Sequence, residues 1–172
     1  MEWMDEPNSE EFEHAGLKCF ILRHHEMLHL NGYVGVLKDH PWYGIDYNQC
    51  LQGCEGKPSP TNPSTMSYPC TWERDHESPE KLLDVHGGLT FSEMGDGKLR
   101  PAAYWWFGFD CAHAYDLVPQ ILELMGREPR EHETYRNFAY VRAEIKKLAE
   151  QLAKVKQREG ELKQLGIDPA FL

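Results

Sequence analysis

The sequence predicts an α+β fold: an antiparallel sheet of about four strands, a short helix and a long C-terminal helix. Three observations lead there. "LKCFILR", "NGYVGV", "DVHGGLTF" and "YWWFGFD" are short β-rich runs, and a period of two divides the last three into two faces each. Polar or Gly-Asp-Gly connections of hairpin type separate neighbouring runs. From Phe138 the apolar residues Phe138, Val141, Ile145, Leu148, Leu152 and Val155 recur at spacings of three and four, the signature of one helical face.

Taken in order, residues 1–16 read as an acidic, frayed leader before a single domain over 17–158. Strands are expected at about 17–24 and 29–37, with Leu30, Val34 and Val36 on one face and Asn31, Tyr33 and Gly35 on the other. Residues 52–80, which hold Pro58, Pro60, Pro63, Pro69 and Pro79, read as a long surface insertion. In "DVHGGLTF" the alternation puts Val85, Leu89 and Phe91 together, opposite Asp84, His86, Gly88 and Thr90. In "YWWFGFD" it separates Trp105, Phe107 and Phe109 from Trp106, Gly108 and Asp110. Helices follow near 117–125 and 132–158, with Gly160 interrupting the second and 159–172 forming a tail. The heptad seam over 138–155 suits packing on the domain's own sheet, with a homodimer through the same seam as the alternative.

Composition bounds the function. The 172 residues suffice for one domain with a sizeable core, and 41% of them are hydrophobic. Lys and Arg number 18 against 28 Asp and Glu, a net charge of −10 that repels phosphate backbones and anionic membranes. Direct nucleic-acid binding and membrane association are therefore not expected. No apolar run reaches the roughly 18 residues of a membrane span. The acidic N-terminal residues lack the parts of a signal peptide, so a cytoplasmic location with reduced thiols is expected. Cys50, Cys54 and Cys70, with His76, offer a loose set of ligands for a structural zinc; the alternative is loop cysteines without a role.

The chemistry-bearing residues concentrate in three places. The face carrying His86, Thr90, Trp106 and Asp110 also carries Gly35, Gly88 and Gly108, and glycine in a strand signals close approach by something else. A flat, ligand-sized depression is one reading; tight packing or a bulge is the other. "FDCAHAYD" then gathers Asp110, Cys111, His113 and Asp116 at a strand end, where scaffolds present chemistry. His86, Asp110, His113 and Asp116 would suit a divalent metal. The histidines and carboxylates would equally suit acid–base work, and Cys111 with His86 or His113 a nucleophile–base pair. Against these stands a plain reading in which the aspartates cap turns and Cys111 is a core residue. "KDHPWYGIDYNQ" adds His40, Tyr43, Asp46 and Tyr47 as possible pocket walls.

The series "NGYVGVLKDHPWYG", "DVHGGLTF", "WWFGFDCAHAYD" and "YRNFAYVRAEIKKLAEQL" resembles a family of small proteins of tailed bacteriophages and prophages. The likeness covers about 30–47 and 83–155. Asp39 and Tyr115 depart from it, each standing where glycine is expected. The resemblance implies a phage accessory or counter-defence role and no particular activity. Joined to the residues, it yields an expected binder of a small polar or phosphorylated molecule, such as a nucleotide-derived signal. Tyr33, His40, Tyr43, His86, Gly87, Gly88, Thr90, Trp106, Asp110, His113 and Asp116 would line its pocket. A metal-dependent hydrolase at the His/Asp cluster, and an acidic inhibitor occupying a basic groove of a host defence protein, are the alternatives.

Overall fold

Five strands, one more than expected, form a single antiparallel sheet in the computed structural model, which describes residues 2–51 and 77–165. They are β1 (Ser9–His14), β2 (Leu17–Arg23), β3 (Leu30–Val36), β4 (Phe91–Met94) and β5 (Trp105–Asp110), in the spatial order β1-β2-β3-β5-β4. The helices are α1 (Glu2–Asp5), α2 (Pro79–Leu82), α3 (Pro119–Met125) and α4 (Phe138–Gln164). Among the described residues no helix is long and apolar enough to cross a membrane.

The fifth strand comes from the stretch expected to fray. In β1 the exposed Ser9, Glu11 and Glu13 alternate with half-buried Glu10, Phe12 and His14, and Phe12 packs at the rim of the core. Ala15 (φ 51°) and Gly16 (φ 73°) turn the chain into β2 as a two-residue hairpin loop. Ahead of β1 the Glu6 carboxylate is anchored by the Arg23 guanidinium at 3.1 Å, the Tyr135 hydroxyl at 2.6 Å and the Phe138 amide at 2.8 Å. The leader is thus a working edge of the domain.

The main core lies between the sheet and α4. Val34, Val36, Leu30, Ile21, Phe107 and Phe109 meet Val141, Ile145, Leu148 and Leu152, all 0–1% exposed. Gly32 admits this packing, because a Cβ there would stand 2.5 Å from the Phe109 ring and 2.8 Å from Ile145. The heptad seam packs on the domain's own sheet, the first of the two uses open to it. The helix also passes Gly160 and ends at Gln164, held at its start by the Asn137 side chain, which accepts from the Tyr140 amide.

The opposite face is filled as well. Phe20, Tyr33 and Trp106 form a second buried cluster with Leu22, Phe91 and Tyr104 around it. The β3–β5 register sets Tyr33 across from Gly108 and Gly35 across from Trp106. A Cβ on Gly108 would sit 2.5 Å from the Tyr33 ring, and one on Gly35 would sit 3.1 Å from the Trp106 ring. Arg100 closes the cluster from outside, its guanidinium 4.9 Å from the Tyr33 ring centre and 4.3 Å from that of Phe91. The expected ligand depression is therefore occupied by the protein's own rings, and the glycines serve tight packing.

"DVHGGLTF" is the other correction. Only Phe91 of it belongs to β4, and Phe91 joins the Tyr33 face, away from Val85 and Leu89. Gly87 (φ 67°) and Gly88 (φ 84°) take the left-handed conformation, which breaks the extended chain into a turn. The period-two phasing of His86 against Asp110 consequently does not apply.

Candidate functional site

His86, Asp110, His113 and Asp116 converge nevertheless, through loops instead of strand faces. Asp110 is the last residue of β5, and the chain after it doubles back so that the His113 amide donates to Asp116 Oδ2 at 3.0 Å. Asp110 Oδ1 accepts from the Ala112 amide at 3.0 Å, which fixes the start of that loop. The segment is pinned on its far side by a parallel bridge between Asp116 and Thr134, with the Leu117 and Thr134 amides donating across it at 2.9 Å. The turn at Gly87 meets it directly. A Cβ on Gly87 would lie 2.2 Å from His113 Cε1, so glycine is needed for space as well as for its φ of 67°.

Asp116 is the hub. Its side chain is 0% exposed; Oδ2 takes His86 Nε2 at 2.7 Å, and Oδ1 takes Arg136 Nε at 2.8 Å. Burial acts to raise its pKa, but the bonds from Arg136 and His86 outweigh that and hold the carboxyl below its ordinary value. His86 is bridged on both nitrogens, Nδ1 lying 2.9 Å from the Tyr140 hydroxyl. With ionised Asp116 as acceptor, Nε2 carries the proton and Tyr140 donates to Nδ1. The amide of His86 donates to Glu144 Oε2 at 2.8 Å. His113 sits beside His86, ring centres 5.6 Å apart, with Nδ1 3.6 Å from Asp110 Oδ1 and 3.9 Å from Asp116 Oδ2. That Nδ1 is shielded from solvent and makes no hydrogen bond. Asp110 Oδ2 accepts from the Thr90 hydroxyl at 2.9 Å. One ligand atom each from His86, His113 and Asp116 lies within 4.8 Å of the others.

The remaining expected residues divide cleanly. Thr90 and Gly87 belong to the cluster, and Gly88 lies in the same turn. Tyr33 and Trp106 are in the second core; Trp106 is 1% exposed and donates to the Pro101 carbonyl, so nothing can stack on it. His40 and Tyr43 lie at the other end of the sheet, about 17 Å along β5 by strand rise. His40 is buried, with Nε2 on the Leu152 carbonyl at 2.9 Å and Nδ1 taking the Trp42 amide at 3.1 Å, and burial lowers its pKa. Tyr43 reaches Met94 Sδ at 3.4 Å beside an open groove lined by Leu37, Ala102 and Ala103. Asp46 accepts from the Ser92 hydroxyl and the Tyr47 amide donates to the same Ser92 oxygen, so both serve the loop.

Cys111 is no nucleophile. It is 2% exposed, and burial followed by the nearby carboxylates raises its thiol well above the ordinary range, which suppresses the thiolate. Cys50 is disulfide-bonded, against the expectation of reduced thiols, and a disulfide sulfur is not a zinc thiolate. Cys54, Cys70 and His76 lie outside the described residues.

Three participants were not anticipated: Arg136, Tyr140 and Glu144. Tyr140 and Glu144 are one helical turn apart on α4, so they share a stripe beside the apolar seam. That polar i, i+4 pair was the available signal. Comparison with protein-family models, with curated proteins and with solved structures found no match.

Proposed function

We propose that His86, His113, Asp116 and Asp110 form the centre of a divalent transition metal, and that the protein is a metal-dependent hydrolase of a small phosphorylated molecule. One observation carries this reading: three of the four donors that would face the metal have their outer atom held by a partner. His86 Nε2 faces inward while Nδ1 meets Tyr140; Asp116 Oδ2 faces inward while Oδ1 meets Arg136; Asp110 Oδ1 faces inward while Oδ2 meets Thr90. Such outer bonds orient metal ligands and tune their basicity. The orphaned Nδ1 of His113 supplies the fourth donor.

Spacing and charge support the same reading. Bonds of 2.0–2.2 Å in a tetrahedron put ligand atoms about 3.4 Å apart, close to the 3.6 and 3.9 Å from His113 Nδ1 to the two carboxylates. The 2.7 Å between His86 and Asp116 would open as the ring proton of His86 moves to Nδ1 and is donated to Tyr140, which frees Nε2 for the metal. Two carboxylates against one guanidinium leave a local charge that a dication offsets. Two imidazoles with carboxylates suit zinc and its first-row neighbours.

Bound there, a dication would polarise a phosphoryl oxygen and lower the pKa of a water. Asp110 and His113, about 30% exposed at their side chains, form the solvent edge, where water and substrate would reach the metal. The buried Asp116 and the half-buried His86 would hold position. The phage resemblance supplies a setting, an accessory or counter-defence role on a small signalling molecule.

The test is elemental analysis and zinc titration of the purified chain, with bis-p-nitrophenyl phosphate as the reporter substrate. We expect near-stoichiometric metal, lost in His86→Ala, and turnover that EDTA abolishes. A folded protein that takes up no zinc, manganese or nickel would overturn the proposal.

A further inference from the structure

Tyr115 adopts a conformation that its own side chain penalises. Its φ is +72°, the left-handed region that a bulky residue enters only under constraint. Among the described residues two other non-glycine residues share the region, and the fold accounts for each. Ala15 is half of the two-residue β1–β2 turn. Leu28 closes the β2–β3 loop with its side chain half-buried and its carbonyl taken by Arg23 at 2.9 Å. Tyr115 has no such account. Its residue exposure is 66%, and among the described residues its one ring contact is with the edge of His132, centres 5.6 Å apart.

The backbone needs this turn, since the Tyr115 carbonyl accepts from the Thr134 amide at 2.9 Å and the Asp116 amide donates to His113 at 3.0 Å. Those bonds carry Asp116 to the hub. They do not need a phenol, and glycine would make them without strain. The ring therefore opposes local stability and covers little, at a position one peptide from Asp116 and two residues from His113. Strain retained beside a cluster of potential ligands points to use by something outside the chain.

We infer that Tyr115 is a binding residue: its exposed ring stacks on the planar heteroaromatic base of a nucleoside phosphate whose phosphate reaches the His/Asp centre. The inference rests on the metal reading for the phosphate end and on Tyr115 alone for the base. Every nucleobase offers a π-face, so the ring would select for a base without reading which one.

The experiment compares AMP with ribose 5-phosphate, which keeps the phosphate and sugar and lacks the base. Calorimetry on the zinc-treated full-length chain is run for wild type, Tyr115→Phe and Tyr115→Gly. Wild type and Tyr115→Phe should prefer AMP by at least about tenfold. Tyr115→Gly should lose that preference, bind zinc as wild type does and melt at a higher temperature. Zinc uptake without a base preference, or a preference that survives in Tyr115→Gly, overturns the inference and leaves the metal centre standing. If wild type takes up no zinc, the metal proposal fails; an AMP preference abolished in Tyr115→Gly then still supports Tyr115, and its absence sinks it. Tyr115→Gly melting below wild type would show that the ring holds the fold, and would also overturn the assignment.

Discussion

Replacing Asp116 by Asn tests the hub that joins the turn, the loop after β5 and the start of α4. The substitution keeps shape and one acceptor oxygen but removes the charge. Facing Arg136 with that oxygen, the new amide would point its NH2 at His86, which can accept by moving its own proton to Nδ1 and donating to Tyr140. Two losses remain. The His113 amide, now bonded at 3.0 Å, loses its charged acceptor, which costs about 1.5–3 kcal/mol. Arg136 loses its counter-charge; with 25% of its side chain in solvent, it recovers part of the 3–5 kcal/mol that a fully buried pair would forfeit. A net loss of about 2–4 kcal/mol follows, or roughly 5–15 °C of Tm in a chain of this size. Because the carboxyl is held below its ordinary value, its contribution is complete above the unfolded pKa of about 3.9. It disappears as the pH falls through the lower folded value. Thermal melts of wild type and Asp116→Asn in EDTA, from pH 7 down to pH 3, should therefore diverge at neutrality and converge in acid. A Tm difference under about 2 °C at pH 7, or one that persists unchanged at pH 3, would refute the hub.

Gly87→Ala should displace the His113 ring and weaken zinc binding more than about tenfold, since its Cβ would fall 2.2 Å from His113 Cε1; unchanged affinity in titration would contradict the geometry. Trp106→Ala should cost about 3–5 kcal/mol in urea unfolding, as for other large core aromatics, while the folded fraction keeps its metal. Iodoacetamide at pH 8 should spare native Cys19 and Cys111, whose thiols burial raises, Cys19 to about 12, and should modify both in urea by mass spectrometry.

The β2–β3 hairpin and the α4 seam were legible because their aliphatic residues recur with the period of the element that carries them. Leu30, Val34 and Val36 alternate, and Phe138 to Leu152 repeat by threes and fours, and both sets are buried as expected. β1 left no such trace. An edge strand needs few apolar residues and gains from charge that discourages further pairing, so "SEEFEH" reads as a solvated leader with one phenylalanine. The filled second face was hidden for a different reason. Gly35, Gly108, Tyr33 and Trp106 were each visible, but whether a glycine opens a depression or admits a ring depends on its cross-strand neighbour. Register decides that, and register is a property of the assembled sheet.

The site shows how correct partners can follow from an incorrect phase. His86, Asp110, His113 and Asp116 were grouped by supposing that "DVHGGLTF" is extended, whereas Gly87 and Gly88 turn it. The grouping survives because the loop after β5 is local. Asp110, His113 and Asp116 lie within seven residues, and any chain reversal there brings them together. His86 is then delivered by the turn into β4, the neighbour of β5. What local reasoning could not supply was the third side of the site. Arg136, Tyr140 and Glu144 come from the start of α4, and they meet His86 and Asp116 only because the buried seam rotates that stripe of the helix toward the turn. The same packing that consumes Phe138, Val141 and Ile145 therefore aims the partners of the cluster. A change in the seam that slides α4 along the sheet should disturb Asp116 and His86 without touching either.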